Sequence, residues 1–255
     1  MKFLTAIHTD IGIKKKTNQD SILLMEAETD IGNVLFTVVC DGMGGLEKGE
    51  VASATVIREY ENWFKNVFPE VLYSGITETF IRESIEKVIF DMNVKISSYG
   101  KKVGINLGTT VLVLLIVNNI YYCINVGDTR CYKIDTSFNQ LTKDQTYVQR
   151  EVDMGRLTLE QAKNHPQRNV LLQCVGASEE IKPDFYTSEV NSNDMFMLCT
   201  DGFRHVITEE EFFEYMNPDI LHNQEKMEET IKYFTDLNKY RKEEDNISVV
   251  LIKTE

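Results

Sequence analysis

The most constraining feature of this 255-residue chain is an apolar run that ends on an acid followed by glycines. Residues 34–40 have the composition of a buried strand, and Asp41 follows directly in a turn that contains Gly42, Gly44 and Gly45. Glycine permits positive φ and close approach of the backbone, so a main-chain carbonyl can join the carboxylate as an oxygen donor. The stretch is a candidate start of a hard-cation site, although an ordinary tight turn with a solvated aspartate has the same pattern.

Two further aspartates, Asp201 and Asp245, flank predicted strands. The first follows the apolar run at 195–199, and the second precedes the closing strand predicted at 247–252. Asp128 lies at another glycine-marked corner, where a turn aspartate is the simpler interpretation. Carboxylates that converge repel one another when ionised, so cations are needed to neutralise them. An all-oxygen set, without Cys or paired His at zinc spacing, favours Mg²⁺ or Mn²⁺ over zinc.

Such a site predicts metal-assisted hydrolysis of a phosphate ester. Two ions about 3.5–4 Å apart can lower the pKa of a bridging water from about 15.7 toward 7 and clamp the phosphate that it attacks. Asp20 can join the set, and the lysines at 14–16 form either a solvated basic loop or a phosphate-facing group. A covalent route through a cysteine nucleophile has little support, because that motif has five residues between the cysteine and an arginine. Cys199 and Arg204 are separated by four residues.

Predicted strands and helices come in blocks joined by hairpins rather than by regular β-α-β crossovers. Apolar strands at 111–117 and 120–126 are separated by Asn118-Asn119, which predicts a hairpin turn. This organisation favours antiparallel sheets with helices packed outside them. Helical patterns occur at 47–64, 81–96, 208–216 and 224–241.

Charge and hydropathy exclude several classes of protein. The formal net charge of −13 argues against a nucleic-acid surface or an anionic membrane, because both attract clustered Lys and Arg. The longest purely apolar run, 111–117, is far shorter than the about 20 residues that a membrane helix needs. The start of the sequence has no signal-peptide pattern. We therefore expect a cytoplasmic protein, folded as one domain over residues 1–255 because no linker divides it.

Six motifs cover nearly the whole chain. They are Thr-Asn-Gln-Asp at 17–20, Val-Cys-Asp-Gly-Met-Gly-Gly at 39–45, Gly-Thr-Thr at 108–110, Val-Gly-Asp-Thr-Arg at 126–130, Cys-Thr-Asp-Gly-Phe at 199–203 and Asp-Asn-Ile-Ser at 245–248. In this order they resemble the PPM family, the metal-dependent type 2C serine/threonine protein phosphatases, in its bacterial form. The resemblance implies an α+β fold, a four-layer α-β-β-α sandwich of two antiparallel sheets flanked by helix pairs.

The resemblance also implies a metal centre and its ligands. Asp41 would bridge two Mn²⁺ or Mg²⁺ ions, the carbonyl of Gly42 would ligate one, and Asp201 and Asp245 would hold the other. Asp128 matches a position that helps to hold a weaker third ion.

Two further assignments follow from the resemblance. Asp20 would order metal-bound waters. Residues 144–176 match the flap, a segment beside the site that affects substrate choice.

Four positions depart from the family pattern. Lys15 stands where an arginine usually binds phosphate, and a lysine offers a point charge without the bidentate fork. Gln19 replaces a glutamate that reaches metal-bound water. His205 stands where an acid or asparagine is common, and Gln145 where a histidine is frequent in the flap. From Lys15 we expect weaker phosphate capture.

The predicted function is a phosphatase for phosphoserine and phosphothreonine in proteins, opposing a bacterial serine/threonine kinase and acting as a monomer. No nucleic-acid or membrane partner is expected. The alternative is a regulatory or binding module of low activity that retains the fold, which Lys15 and Gln19 suggest. A calcium-binding interaction protein is not favoured, because the sequence has no Asp-x-Asp-x-Asp-Gly loop.

Overall fold

A computed structural model describes residues 1–43 and 48–255 and, within them, forms two antiparallel five-stranded sheets. The strands are β1 (Phe3–Asp10), β2 (Ser21–Thr29), β3 (Gly32–Cys40), β4 (Val111–Val117), β5 (Ile120–Val126), β6 (Arg130–Ile134), β7 (Phe138–Gln140), β8 (Asp184–Glu189), β9 (Met195–Cys199) and β10 (Ile247–Thr254). The first sheet has the order β1-β10-β9-β6-β7, and the second has the order β2-β3-β4-β5-β8.

Helices pack on the outer faces of both sheets, and two more helices lie in the segment between β7 and β8. They are α1 (Gly49–Asn62), α2 (Phe68–Ser74), α3 (Glu78–Val103), α4 (Tyr147–Asp153), α5 (Leu159–Lys163), α6 (Asp201–Arg204), α7 (Glu209–Tyr215) and α8 (Gln224–Tyr240). A π-helical turn, Trp63–Val67, joins α1 to α2. Gly44 and Gly45 of the predicted turn, and Glu47 at the predicted start of the first helix, lie outside the described residues.

The strand β3 shows how the layers form. Its side chains alternate between the two faces of the second sheet, as the two-residue repeat of a strand requires. Leu35 and Val39 pack between the sheets, whereas Phe36 points outward to the helices. The ring of Phe36 lies 5.1 Å from that of Trp63 and stacks on that of Phe64 at 5.2 Å between centroids.

Three buried apolar clusters separate four layers. One cluster joins α1, α2 and α3 to the second sheet, one joins the two sheets, and one joins α6, α7 and α8 to the first sheet. In the last of these, Phe212 of α7 packs on Phe234 of α8 with ring centroids 4.9 Å apart. The predicted α+β sandwich of two antiparallel sheets between helices is confirmed.

The hairpin between β4 and β5 has the predicted turn. Asn118 and Asn119 both have positive φ, 52° and 59°, which is the conformation of a type I′ turn and one that asparagine tolerates. Both strands are buried along nearly their whole length, since the second sheet is covered on one face by helices and on the other by the first sheet.

Residues 144–176, the predicted flap, contain α4 and α5 between β7 and β8. Isolated bridges tie the segment to itself at Thr146 and Leu171, and to the second sheet at Val175 and Thr109. None of the helices in the described ranges is both long enough and apolar enough to cross a membrane.

Candidate functional site

The candidate site lies at the edge where strand ends of both sheets meet. In the first sheet, Asp201 follows β9 and Asp245 precedes β10. Cys199 at the end of β9 pairs with Val249 near the start of β10. The antiparallel register therefore places both aspartates at the same end of two neighbouring strands.

The second sheet brings further aspartates to this edge. Ser21 pairs with Cys40, so that Asp20, just before β2, lies beside Asp41, just after β3. Asp128 follows β5 at the glycine corner between β5 and β6. The strand ends that the sequence marked with acids thus belong to one edge of the sandwich.

The five carboxylates influence one another electrostatically. The pKa of Asp41 is raised well above its ordinary value, first by burial and then by the charges of Asp20, Asp201, Asp128 and Asp245. Burial and the neighbouring carboxylates likewise raise the pKa of Asp20 to about 7. The carboxylates therefore lie close enough to disfavour one another's ionised forms, an effect that a bound cation would reverse.

The backbone of Asp41 is fixed while its carboxylate stays at the edge. Its N–H donates to the hydroxyl of Thr110 over 2.9 Å, and its carbonyl accepts from the N–H of Thr110 and the hydroxyl of Thr109, each at 2.9 Å. The N–H of Gly42 donates to the carbonyl of Gln19 over 3.1 Å. These bonds dock the turn after β3 onto the start of β4.

Asp20 is hydrogen-bonded to the residue that follows β9 of the first sheet. It is 8 % exposed, and its Oδ2 accepts a hydrogen bond of 3.0 Å from the hydroxyl of Thr200, the residue before Asp201. The two sheets are therefore linked directly beneath the carboxylates of the site.

Asp201 has one oxygen that the described residues do not satisfy. Its Oδ1 is buried without a hydrogen-bond partner, and its Oδ2 lies 3.5 Å from Nε2 of His205. Gly202 allows the turn to sit against the next strand, because a Cβ atom there would lie 2.1 Å from the carbonyl oxygen of Asn246. An orphaned buried carboxylate oxygen is costly unless a cation or a donor meets it.

Lys15 reaches the same edge from the segment after β1. Its Nζ lies 2.7 Å from Oδ1 of Asp245, an atom that also accepts the N–H of Asn246 over 2.8 Å. Burial lowers the pKa of Lys15, but its bond to Asp245 and the charges of Asp41 and Asp201 outweigh this and raise the pKa. The ammonium is therefore a permanent positive charge beside the candidate ligands.

Arg204, which the sequence analysis did not assign to the site, stands at its Asp128 side. Its Nη2 donates to the carbonyl oxygen of Asp128 over 2.9 Å and lies 3.8 Å from Oδ2 of the same residue. A signal was present in the sequence, because this arginine comes two residues after Asp201-Gly202, in a turn that follows a buried strand. Only the packing of α6 shows where the side chain goes.

The other three residues that depart from the pattern of the six motifs have defined hydrogen-bond or ion-pair partners. Gln19 directs its amide to Glu50, with Nε2 to Oε2 at 3.3 Å. Gln145 is buried, accepts the N–H of Gly127 over 2.7 Å and donates to Asp184 over 2.8 Å. His205 lies between two acids, because its Nδ1 is 3.5 Å from Glu243 while its Nε2 faces Asp201.

These residues fit a hard divalent cation by their chemistry. The candidate donors are all oxygens, and one of them is the orphaned Oδ1 of Asp201. Across residues 1–43 and 48–255, however, no group of three or more His, Cys, Asp or Glu side chains is arranged as a ready ligand cage. The carboxylates are neighbours at one edge rather than a closed shell, as repulsion between like charges favours.

A large groove adjoins this edge. It has a volume of about 1540 Å³ and runs between the segment that carries α4 and α5 and the start of α7. Its lining includes Lys15, Asp128 and Asp245 at the edge of the sandwich. Leu159 and Arg168 line it on the side of the segment that carries α4 and α5. The site therefore opens into a groove larger than the about 300–1,000 Å³ of a typical small-molecule pocket.

Comparison with known proteins points to one family. The family model for protein phosphatase 2C matches residues 13–238. A protein of Listeria welshimeri named serine/threonine phosphatase stp is 30% identical over 249 residues, which cover 96% of this chain and 93% of that protein. Protein phosphatase PhpP of Streptococcus pneumoniae is 30% identical over 214 residues, covering 83% of each chain.

Solved structures agree with the sequence comparison. The crystal structure of the serine/threonine phosphatase Stp1 from Staphylococcus aureus superimposes with a TM-score of 0.85 at 25% identity, covering 100% of this chain and 96% of that one. The similarity therefore includes both sheets, the flanking helices and the edge that carries the aspartates.

Proposed function

The chain belongs to the protein phosphatase 2C family, and from this premise we propose that it is a metal-dependent phosphatase for phosphoserine and phosphothreonine in proteins. The observation that carries the proposal is the convergence of Asp20, Asp41, Asp128, Asp201 and Asp245 at one edge, which the strand register of the two sheets produces. The relatives that are named serine/threonine phosphatases support the choice of substrate class.

We assign the ion ligands to residues at the edge of the sandwich. Asp41, the carbonyl of Gly42, Asp201 and Asp245 would hold two Mn²⁺ or Mg²⁺ ions, since oxygen donors suit these cations. When bound, the ions supply an activated water for direct in-line attack on phosphorus and offset the charge of the phosphate.

The protein's own side chains would bind and orient the substrate. Lys15 is assigned to the phosphate, because its side chain is 34% exposed, lines the groove and stands beside Asp245. A single ammonium binds a phosphate oxygen as a point charge, so we expect capture that is weaker than an arginine would give. Asp20 is assigned to ordering water, supported by its place beside Asp41.

Several finer features belong to the same proposal. Residues 1–255 would act as one catalytic domain, and 144–176 as a flap that lines the groove and selects substrates. The enzyme would be cytoplasmic and would work as a monomer. Its partner would be a cognate serine/threonine kinase whose products it dephosphorylates. The groove between the flap and α7 supports an extended phosphopeptide as ligand.

The proposal is tested by hydrolysis of a phosphothreonine peptide with added Mn²⁺, Mg²⁺ or Ca²⁺, and after chelation. We expect turnover with Mn²⁺ or Mg²⁺, loss with chelator, and loss in Asp41→Asn. Asp30→Asn is the matched control, because Asp30 is exposed in the turn between β2 and β3, at the far end of those strands. Hydrolysis that survives both chelation and Asp41→Asn would contradict the mechanism, and ion binding without turnover would favour a non-catalytic module.

A further inference from the structure

Arg204 is a nearly buried cation next to the acids of the site. Its side chain is 10% exposed, and it belongs to the same short helix as Asp201. Its Nη2 donates to the carbonyl oxygen of Asp128 over 2.9 Å and lies 3.8 Å from the carboxylate of that residue. The guanidinium of Arg204 is therefore bonded to the backbone carbonyl of Asp128 and also faces the carboxylate of that residue.

Asp144 fixes the guanidinium from the other side. Its Oδ2 lies 3.6 Å from Nη2 of Arg204, while Arg130 forms a bidentate pair with the same carboxylate, both bonds 2.8 Å long. Two arginines thus share one buried aspartate, which leaves a surplus positive charge. The nearest further carboxylate in this arrangement is that of Asp128.

The backbone around Asp128 is also closed. Gln145 accepts the N–H of Gly127 over 2.7 Å, and its own N–H donates to the carbonyl of Gly127 over 3.0 Å. The corner between β5 and β6 is therefore held by the beginning of the 144–176 segment on one side and by Arg204 on the other. The backbone of Asp128 is thus fixed next to the guanidinium.

A fixed guanidinium and a divalent ion compete for the same carboxylate. A cation bound to Asp128 would stand within a few ångströms of Arg204 in a mostly buried place, where like charges repel strongly. Asp245 and Asp201 also face cations, since Lys15 lies 2.7 Å from Asp245 and His205 lies 3.5 Å from Asp201. The side chains of Lys15 and His205 are 34% and 23% exposed, so a bound ion can displace them, whereas that of Arg204 is 10% exposed and bonded to the carbonyl of Asp128.

We propose that Arg204 is a positioning residue that supplies Asp128 with a permanent positive charge, so that Asp128 recruits no divalent ion and the site takes two ions. This inference rests on the proposed two-ion site and specifies it: the third, weaker ion that the sequence resemblance implied at Asp128 does not fit this chain. The arginine also joins the flap to the site, through the aspartate that it shares with Arg130.

The test counts ions bound to the full-length protein. Mn²⁺ is titrated at neutral pH and free Mn²⁺ is measured by its electron paramagnetic resonance signal, with circular dichroism as the check of folding. We expect two bound ions in the wild type and also in Asp128→Asn. Arg204→Gln, which keeps the length but removes the charge, should bind a further, weaker ion that is lost again in the double variant Arg204→Gln, Asp128→Asn.

Arg204→Lys is the matched control, because it restores the charge and should restore the count of two. Three ions in the wild type, with one lost in Asp128→Asn, would overturn the inference and leave the proposed function intact. No additional ion in a folded Arg204→Gln would also overturn it. If Arg204→Gln does not fold, the wild type and Asp128→Asn alone decide the question. A wild type that binds no Mn²⁺ would instead remove the proposed function together with this inference.

Discussion

The ammonium nitrogen of Lys15 lies 2.7 Å from Oδ1 of Asp245, which joins the loop after β1 to the residue before the last strand. The neighbouring Lys14 pairs with Glu244 in the same way, but farther out, where both side chains are more than half exposed. Two adjacent lysines therefore make parallel pairs, and only the inner pair includes a candidate ion ligand. Lys14 is therefore an internal control for the role of the charge on Lys15.

The first prediction concerns phosphate capture by Lys15. Lys15→Ala should raise KM for a phosphothreonine peptide by about 10-fold with a smaller change in kcat, because one charge-assisted hydrogen bond of about 1.5 kcal/mol is lost. Lys15→Arg should lower KM below that of the wild type, since a guanidinium can bind phosphate in a bidentate manner. Steady-state kinetics with Mn²⁺ measure both values.

Lys14→Ala is the control for Lys15→Ala. It removes the same charge at the neighbouring residue, whose ion pair with Glu244 is exposed. Its KM should stay close to that of the wild type. Equal KM values for Lys15→Ala and the wild type would exclude Lys15 from phosphate binding.

The second prediction concerns the buried aspartate that two arginines share. Asp144→Asn should lower the free energy of unfolding by about 3 kcal/mol, because removing one partner of a buried ion pair leaves the other uncompensated. The side chain of Asp144 is 11% exposed, and that of Arg130 is 22% exposed. Urea denaturation followed by circular dichroism measures the change.

Asp153→Asn serves as the comparison, since Asp153 pairs with Lys143 at the surface, where both side chains are at least 40% exposed. Surface pairs contribute about 0–1 kcal/mol, so this variant should be nearly as stable as the wild type. Equal losses in the two variants would show that burial of the Asp144 pair does not matter.

Much of the architecture could be predicted because it depends on local patterns. The alternation of β3 places Phe36 toward the helices and Leu35 between the sheets, and the asparagines at 118–119 specify the hairpin turn. The acids at strand ends could also be found, since a strand that ends on Asp41 or Asp201 marks a point where the chain leaves the sheet. Antiparallel pairing then brings such points to one edge.

The partners of individual polar side chains could not be predicted, because they depend on distant elements. Arg204 meets Asp128 only through the packing of α6 against the corner after β5. Gln19 stands where the resemblance places a glutamate that reaches metal-bound water, and the sequence does not show that its amide donates to Glu50 of α1. Charges and hydrogen bonds of this kind are decided by small differences in distance that the periodicity of a sequence does not encode.

The third prediction concerns the glycine beside Asp201. A Cβ atom at Gly202 would lie 2.1 Å from the carbonyl oxygen of Asn246 and 3.2 Å from Cβ of Asp245. Gly202→Ala should therefore push two candidate ligands apart and reduce kcat/KM by about 100-fold, as a misplacement of about 1 Å can do. Mn²⁺ affinity should fall as well, which a titration of the folded variant measures.

Gly104→Ala is the control for Gly202→Ala. Gly104 has a φ of +73°, and a Cβ atom added there would meet no other atom of the described residues within 4 Å. The substitution therefore introduces backbone strain of about 1–2 kcal/mol without a steric contact. It should lower stability and leave kcat/KM unchanged. Normal activity of Gly202→Ala would mean that the two strand ends can separate without harm to the site.

The fourth prediction concerns the pH dependence of stability at Glu211, the capping-box residue of α7. Its Oε2 accepts from Nη1 of Arg241 over 2.8 Å, and this interaction together with the N–H of Thr208 lowers the pKa of Glu211 to about 2. Because the pKa is lower in the folded chain than the ordinary 4.5, the pair stabilises the fold above pH 4.5, and this stabilisation is lost as the pH falls toward 2.

Arg241→Gln should accordingly destabilise the fold at pH 7, by less than about 1 kcal/mol because the pair is partly exposed, and urea denaturation measures the change. The difference from the wild type should shrink only near pH 2.5, because the stabilisation is lost as the pH falls through the pKa of about 2 that Glu211 has in the folded chain. A small residual difference should remain, since Arg241 also donates to the carbonyl of Val206 over 2.7 Å, a bond that does not titrate. Lys232→Gln removes a unit charge from α8, the helix that Arg241 follows, and should show no such trend. A difference that stays constant from pH 7 to 2.5 for Arg241→Gln would show that the ionised Glu211 is not its partner.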